Sequence, residues 1–535
     1  MPAASLNHIQ ELVLGLLIVV AALAALAKRV SIPYPIIMVI GGLVLGLTPG
    51  LPRIPLNPNL IFYVVLPPLI FSAAFQISWR EFRNNAVAIL MLAFGLVGFT
   101  VYAVAAFSRW ALPGFDWRLG LVLGAVVAPT DPLSATATAR RLGIPRKITD
   151  LLEAESLVND GSGLVALNFT AGLVVSGATP TFLGGTGELL YIITVAVAIG
   201  LAVGFLVHQV QQHISDAPIE ITLSLITPYV AYLAADLLHC SGILATLACG
   251  LYLGRRSSGF YSLHARLESR AVWRTLDFVL NGVVFLLLGL QLPVIMSDIR
   301  GIGLGGLLWR ATLFSAAVIL IRLIWVYPGA WISGLIRSGL HMRQPAFSKR
   351  EIFVVGWSGM RGVLGLAAAL SLPETLRNGA RFPERNVIIF LTFCAIFATL
   401  VLQGLSLPAI IRKLGVGGAE GLGDEETAAR REMVQAALDE IGRIRDEQGG
   451  ELTEVEQQME RYYRQRLAQL RRDGDEDGDQ SIAPASEYEK IGRRLRSIER
   501  SVALKLRDEA KIHDEVLRSL EHELDLLDAR FAEMD

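Results

Sequence analysis

The stretch RLGLVLGAVVAPTDPLSATATA, residues 118–139, decides the fold. A membrane span needs about 20 mostly apolar residues to cross about 30 Å of hydrocarbon, and this stretch is long enough. At its centre, however, stands Ala128-Pro129-Thr130-Asp131-Pro132. Proline removes a backbone donor and clashes with the preceding turn, so two prolines bracketing Thr-Asp predict a broken helix with freed carbonyls at membrane depth. Such backbone survives inside a bilayer only where protein or a water-filled cavity surrounds it. Asp131 comes about 13 residues into the stretch, near its middle at 1.5 Å per residue. Ionisable groups there are costly and functional by default. A more modest role, capping the second half-helix, is compatible with a transport role.

Working outward, apolar stretches of similar length recur at approximately 11–27, 33–50, 58–76, 85–107, 150–176, 186–207, 219–237, 242–255, 271–296, 304–334, 351–371 and 386–411. With 118–139 they make about thirteen transmembrane helices. The split at Ser241-Gly242 is the least marked boundary. The first stretch resembles a signal peptide, but no Lys or Arg precedes it whereas Lys28 and Arg29 follow, so it reads as a retained span.

The 535 residues are 53% hydrophobic and 18% charged, with a formal net charge of −1. That near-neutrality is a cancellation. Charged side chains make up about 11% of residues 1–412 and about 41% of residues 413–535, with net charges of roughly +10 and −11. This pattern excludes a soluble enzyme and a secreted disulfide scaffold. It leaves an all-α polytopic membrane protein, residues 1–412, with a soluble helical tail, residues 413–535. The three cysteines, Cys240, Cys249 and Cys394, all lie in apolar segments and read as core residues.

Basic residues in alternate loops set the orientation. One set holds Lys28/Arg29, Arg80/Arg83, Arg140/Arg141/Arg146/Lys147, Arg255/Arg256/Arg266/Arg270, Arg337/Arg343/Lys349/Arg350 and Arg412/Lys413. It outnumbers the opposite set by roughly eighteen to seven, which makes it cytoplasmic by the positive-inside rule. The N-terminus is then outside and the acidic tail cytoplasmic. The tail is expected to be regulatory and to sit weakly beside the basic loops. Its last part carries Leu517, Leu520, Leu524, Leu527 and Phe531 in alternating steps of three and four, an a/d seam for a partner helix or for its own domain.

Two further stretches carry charge at depth. The sixth contains Glu153, Glu155, Ser156, Asn159 and Asp160 before Gly161-Ser162-Gly163. Asp160 lies roughly 15 Å into it, and Ser156 shares its face at i,i+4 while Glu155 and Asn159 occupy the adjacent row. Hydroxyl, amide and carboxylate oxygens suit a small hard cation, and a carboxylate can hold a proton instead. The alternative is a polar interhelical network. The twelfth stretch reads Gly356-Trp357-Ser358-Gly359-Met360-Arg361-Gly362, a second interrupted helix with an arginine at mid-depth. Arginine stays charged there and needs a carboxylate or free carbonyls, with Glu155 the candidate. Arg322, inside the eleventh stretch, is a second buried cation without an obvious sequence partner. Interrupted helices in both halves point to inverted repeats, spans 1–6 and 8–13, in which the two broken helices cross.

Pro129-Thr130-Asp131-Pro132, Glu155-Ser156-x-x-Asn159-Asp160-Gly161, Gly359-Met360-Arg361-Gly362-Val363-Leu364 and Leu66-Pro67-Pro68-Leu69-Ile70-Phe71 together resemble the monovalent cation:proton antiporter-1 family of sodium/proton exchangers. The resemblance covers essentially all of 1–412 and leaves out the tail. It implies a thirteen-span homodimer in the plasma membrane, with a scaffold and a moving core that work by elevator-like alternating access. It implies that Asp160 carries the cation or proton, with Asn159 beside it and Thr130, Asp131 and Ser156 completing the site, and that Glu155 pairs with Arg361. No cofactor is implied beyond the transported sodium (or lithium) and protons, and no nucleic acid partner. Members with Asn-Asp at 159–160 are generally electroneutral. One departure stands out: Ser72 occupies a position where many bacterial members carry an acid. A potassium/proton antiporter of the same fold is the near alternative. An intramembrane aspartyl protease would need two catalytic aspartates in defined local contexts, such as a Gly-x-Gly-Asp segment within a span, and none of the apolar stretches contains one; a channel fits a single titratable carboxylate between broken helices less well.

Overall fold

The computed structural model describes residues 3–30, 32–49, 56–176, 182–214, 216–260, 263–299, 304–339, 347–376, 379–416, 422–447 and 454–472. It forms two compact units, Met1–Ala419 and Glu420–Asp535.

The first unit is helical, and the one strand-like feature among its described residues is a bridge between Thr375 and Arg381. Its helices are α1 (Ala3–Val30), α2 (Tyr34–Leu47), α3 (Pro58–Gln76), α4 (Trp79–Asn84), α5 (Ala86–Ala111), α6 (Trp117–Val127), α7 (Leu133–Arg141) and α8 (Arg146–Ser176). They continue as α9 (Phe182–Gln211), α10 (Ala217–Asp236), α11 (Gly242–Phe260), α12 (Leu263–Leu290), α13 (Leu292–Asp298), α14 (Leu304–Gly339), α15 (Lys349–Trp357), α16 (Val363–Leu370) and α17 (Arg385–Leu414). Eight helical segments among the described residues are long and apolar enough to cross a membrane. The remaining stretches expected from the sequence fall on shorter, more polar or interrupted helices: α2, α6 with α7, α8, α11, and α15 with α16. The boundary at Ser241-Gly242 is real, because α10 ends at Asp236, His239 takes a left-handed backbone and the Ser241 hydroxyl accepts from Leu244 N as α11 begins.

Side-chain distribution is that of a protein solvated by lipid. Leu14 and Ile18 on α1, and Leu190 and Leu206 on α9, face outward, whereas Ser156, Asn159, Glu155, Arg322 and Arg361 are buried. Charge is on the inside because only there can it find partners.

Both proline- and glycine-marked breaks are present. Helix α6 stops at Val127 and α7 starts at Leu133, and α15 stops at Trp357 and α16 starts at Val363. The start of α15 is fixed by a capping box in which the Ser348 hydroxyl accepts from Glu351 N and the Glu351 carboxylate accepts from Ser348 N. The two breaks touch: Asp131 N donates to Met360 O at 2.8 Å. Gly161-Ser162-Gly163 leaves α8 continuous, and at Gly163 a Cβ would strike the Pro129 ring, so glycine lets the first break close onto α8.

Three spans contain π-helical turns, Ile61–Val65 in α3, Met91–Leu96 in α5 and Thr399–Gln403 in α17. Wider turns leave groups free for side chains, and such turns are frequent at functional sites. Met91 O accepts from Trp325 Nε1 at 3.3 Å, and Ala93 O accepts from Ser162 Oγ at 2.5 Å.

In the second unit, α18 (Leu422–Glu447) and α19 (Glu454–Arg472) pack together, joined by Arg445–Glu460 at 2.5 Å. The hydrogen bond from Arg445 holds the Glu460 carboxyl below the usual range. The seam from Leu517 to Phe531 lies outside the described residues.

Candidate functional site

Thr130 is the hub of the first break. Released from helical pairing, its backbone and side chain all turn to α8. Its carbonyl accepts from Ser156 Oγ at 2.6 Å, and its N–H donates to Asn159 Oδ1 at 3.4 Å. Its hydroxyl accepts from Asn159 Nδ2 at 2.7 Å and donates to Glu155 Oε1 at 3.4 Å. The i,i+3 and i,i+4 spacing of Glu155, Ser156 and Asn159 is what lets one helix face meet one residue this often.

Asp131 does cap: its Oδ1 accepts from Leu133 N at 2.9 Å at the start of α7. Asp160 differs from Glu155 and Asp131. It follows Asn159 on α8 and is half-buried, and among the described residues its carboxylate takes part in no hydrogen bond or ion pair. Asp131 lies near enough to act on it electrostatically.

The expected Glu155–Arg361 pair is not what forms. Glu155 is held by Arg322 instead, Nη1 to Oε1 at 2.5 Å and Nη2 to Oε2 at 2.9 Å, a bidentate contact with both side chains buried. The same guanidinium donates from Nε to Gly356 O and from Nη2 to Val355 O, each at 3.1 Å. The physical reason is the end of α15: its last carbonyls have no helical donor, and Arg322 on α14 reaches them and Glu155 at once. Gly359 makes this possible, since a Cβ there would occupy the space of the Arg322 side chain.

Arg361 is buried beside this pair rather than in it. Its backbone N–H donates to Thr399 Oγ1 at 3.1 Å and its Nη1 to Gly359 O at 3.5 Å. Its Nε has no partner among the described residues. Glu155 and Arg322 both act on it electrostatically.

Ser72 meets an acid from another helix: its hydroxyl donates to Asp277 Oδ2 at 2.6 Å. Sequence reasoning passed over Asp277, although an acid inside the apolar stretch 271–296 was the available signal. It also passed over Thr399, which carried none, since its role comes from a π-helical turn.

Among the described residues, no group of three or more His, Cys, Asp or Glu side chains could hold a metal ion.

The family model for the sodium/hydrogen exchanger transmembrane region matches residues 15–413. The chain belongs to that family. An "uncharacterized Na(+)/H(+) exchanger" of Mycobacterium tuberculosis is 33% identical over 532 residues, covering 96% of each chain. A "sodium, potassium, lithium and rubidium/H(+) antiporter" of Bacillus pumilus is 30% identical, covering 86% of this chain and 70% of that one. In fold, the chain is like the sodium proton antiporter MjNhaP1 of Methanocaldococcus jannaschii, with a TM-score of 0.63 at 20% identity over 77% of this chain and all of the other. It is a multi-pass membrane transporter of its family rather than an enzyme.

Proposed function

We propose that the protein exchanges sodium or lithium for protons by alternating access around Asp160. The observation that carries this is the contrast between two acids on α8. Glu155 is neutralised by Arg322, whereas Asp160, the residue after Asn159, has no hydrogen bond or ion pair among the described residues and lies within electrostatic reach of Asp131. An ionised carboxylate in that setting calls for a counter-charge, and one proton or one monovalent cation supplies it. Asn159 adds no second acid, so the exchange is one-for-one and electroneutral.

The crossing breaks are the moving part's fixed centre, with Arg322 and Glu155 bracing α15 against α8. The thirteen spans form two inverted repeats in a plasma-membrane homodimer, with the N-terminus outside. Residues 413–535 form a cytoplasmic regulatory tail. Potassium/proton exchange is the second reading, favoured by the Bacillus pumilus relative whose name includes potassium.

The test is exchange in proteoliposomes of purified protein, followed with a pH dye as sodium, lithium and potassium are added in turn. Sodium- and lithium-driven proton movement is expected. Movement with potassium alone would select the second reading, and none with any cation would overturn both.

A further inference from the structure

Asp277 lies on α12, which enters the membrane near Glu268, about nine residues or roughly 13 Å earlier at 1.5 Å per residue. One of its carboxylate oxygens, Oδ2, accepts from Ser72 Oγ at 2.6 Å. The other, Oδ1, is buried without a hydrogen-bond partner among the described residues. Ser72 is itself held by Gln76, whose Nε2 donates to Ser72 Oγ at 3.1 Å and to Ser72 O at 3.2 Å. The next residue along α12, Phe278, has its ring 5.9 Å from that of Tyr34, the first residue of α2. The Tyr34 phenol stands within electrostatic reach of both Asp277 and Asp131. These groups therefore run from Gln76 at the end of α3, through Ser72, Asp277 and Tyr34, to the break that carries Asp131.

We propose that Asp277, presented by Ser72 and Gln76, is a second binding station for the transported monovalent cation, on the cytoplasmic approach to Asp160. The proposal rests on the antiport reading and on the orientation given above, in which the end of α3 and the beginnings of α2 and α12 face the cytoplasm. A carboxylate oxygen with no donor, in a membrane-embedded setting, is stabilised by a cation that brings its own charge. The serine hydroxyl fixes the orientation of that carboxylate and is itself an oxygen ligand of the kind small hard cations accept. The station also accounts for Ser72: the acid is supplied from across the helix interface.

The test measures the sodium concentration for half-maximal exchange, presented separately at each face, in proteoliposomes of the full chain. Wild-type protein showing no sodium-driven exchange would mean that the antiport reading itself fails, so the two failures are distinct. Asp277→Asn keeps an acceptor for Ser72 and removes only the charge, so a purely structural role predicts no change. The station predicts a rise of about tenfold for cytoplasmic sodium, the scale of one lost charged contact, with external sodium unaffected. Returning the acid from the other side, in Asp277→Ser with Ser72→Asp, should restore the wild-type value, whereas Asp277→Ser with Ser72→Asn should not. That pair of double variants decides the question if Asp277→Asn does not elute as folded protein. An unchanged cytoplasmic value in Asp277→Asn, or no difference between the double variants, would overturn the proposal.

Discussion

Replacing Arg322 by methionine removes one guanidinium and four of its hydrogen bonds, two to Glu155 and one each to the Val355 and Gly356 carbonyls. Breaking a buried ion pair from one side costs about 3–5 kcal/mol, because the remaining charge has neither water nor partner. The stranded carbonyls add about 1–3 kcal/mol each, so Arg322→Met should be costlier than Glu155→Leu, which leaves the carbonyl bonds in place. In the double variant neither member of this pair is left charged without the other, and only the carbonyl loss persists. The cost of the broken pair enters both single variants and is absent from the double, so the cycle should show a coupling of at least about 3 kcal/mol, the top of the range for residues in contact. Equilibrium unfolding of the purified protein in mild detergent, titrated with a denaturing detergent, reads this for all four proteins. A matched cycle of Glu155→Leu with Arg361→Met should give less than about 1 kcal/mol, because Arg361 makes no direct bond to Glu155. Additive losses in the first cycle, or a larger coupling in the second, would refute the pairing described here.

Gly359→Ala should destabilise the protein in the same unfolding assay and lower exchange, because its methyl group displaces Arg322, and adding Arg322→Met to it should relieve the clash but not restore exchange. Additive losses, with Arg322→Met costing as much beside Gly359→Ala as it does alone, would show that the two do not compete for space. Exchange should not depend on membrane potential: imposing one with potassium and valinomycin should leave the steady-state sodium/proton balance unmoved, and a clear shift would exclude one-for-one exchange. Truncation after Lys413 should preserve the order of preference among cations while shifting the rate or the pH profile. Identical rates across the whole pH profile would remove the regulatory role of the tail.

Much of the helical layout was legible because its signals are local. Proline in Pro129-Thr130-Asp131-Pro132 and glycine in Gly359-Met360-Arg361-Gly362 weaken helix pairing locally, and the breaks fall where those residues cluster, whereas single prolines such as Pro228 and Pro328 are carried inside α10 and α14. The approach of Ser156 and Asn159 to Thr130 was half-legible: their helical spacing puts them on neighbouring rows, but only the structure shows that Thr130 is what they meet. The partner of Glu155 was not legible. Arg322 and Arg361 are both mid-span arginines, and the choice between them depends on how α14 approaches the end of α15, which no local pattern records. The link between Ser72 and Asp277 is hidden for the same reason, since 205 residues separate the two.

The central claim is that Asp160 alternately holds a cation and a proton. Its most direct test is sodium-driven proton movement in proteoliposomes of wild-type protein and Asp160→Asn, each first confirmed as folded by its elution in detergent. The account predicts sodium-dependent exchange by the wild type and none by Asp160→Asn, because an amide neither titrates nor neutralises the cation. Full exchange by well-folded Asp160→Asn would contradict it.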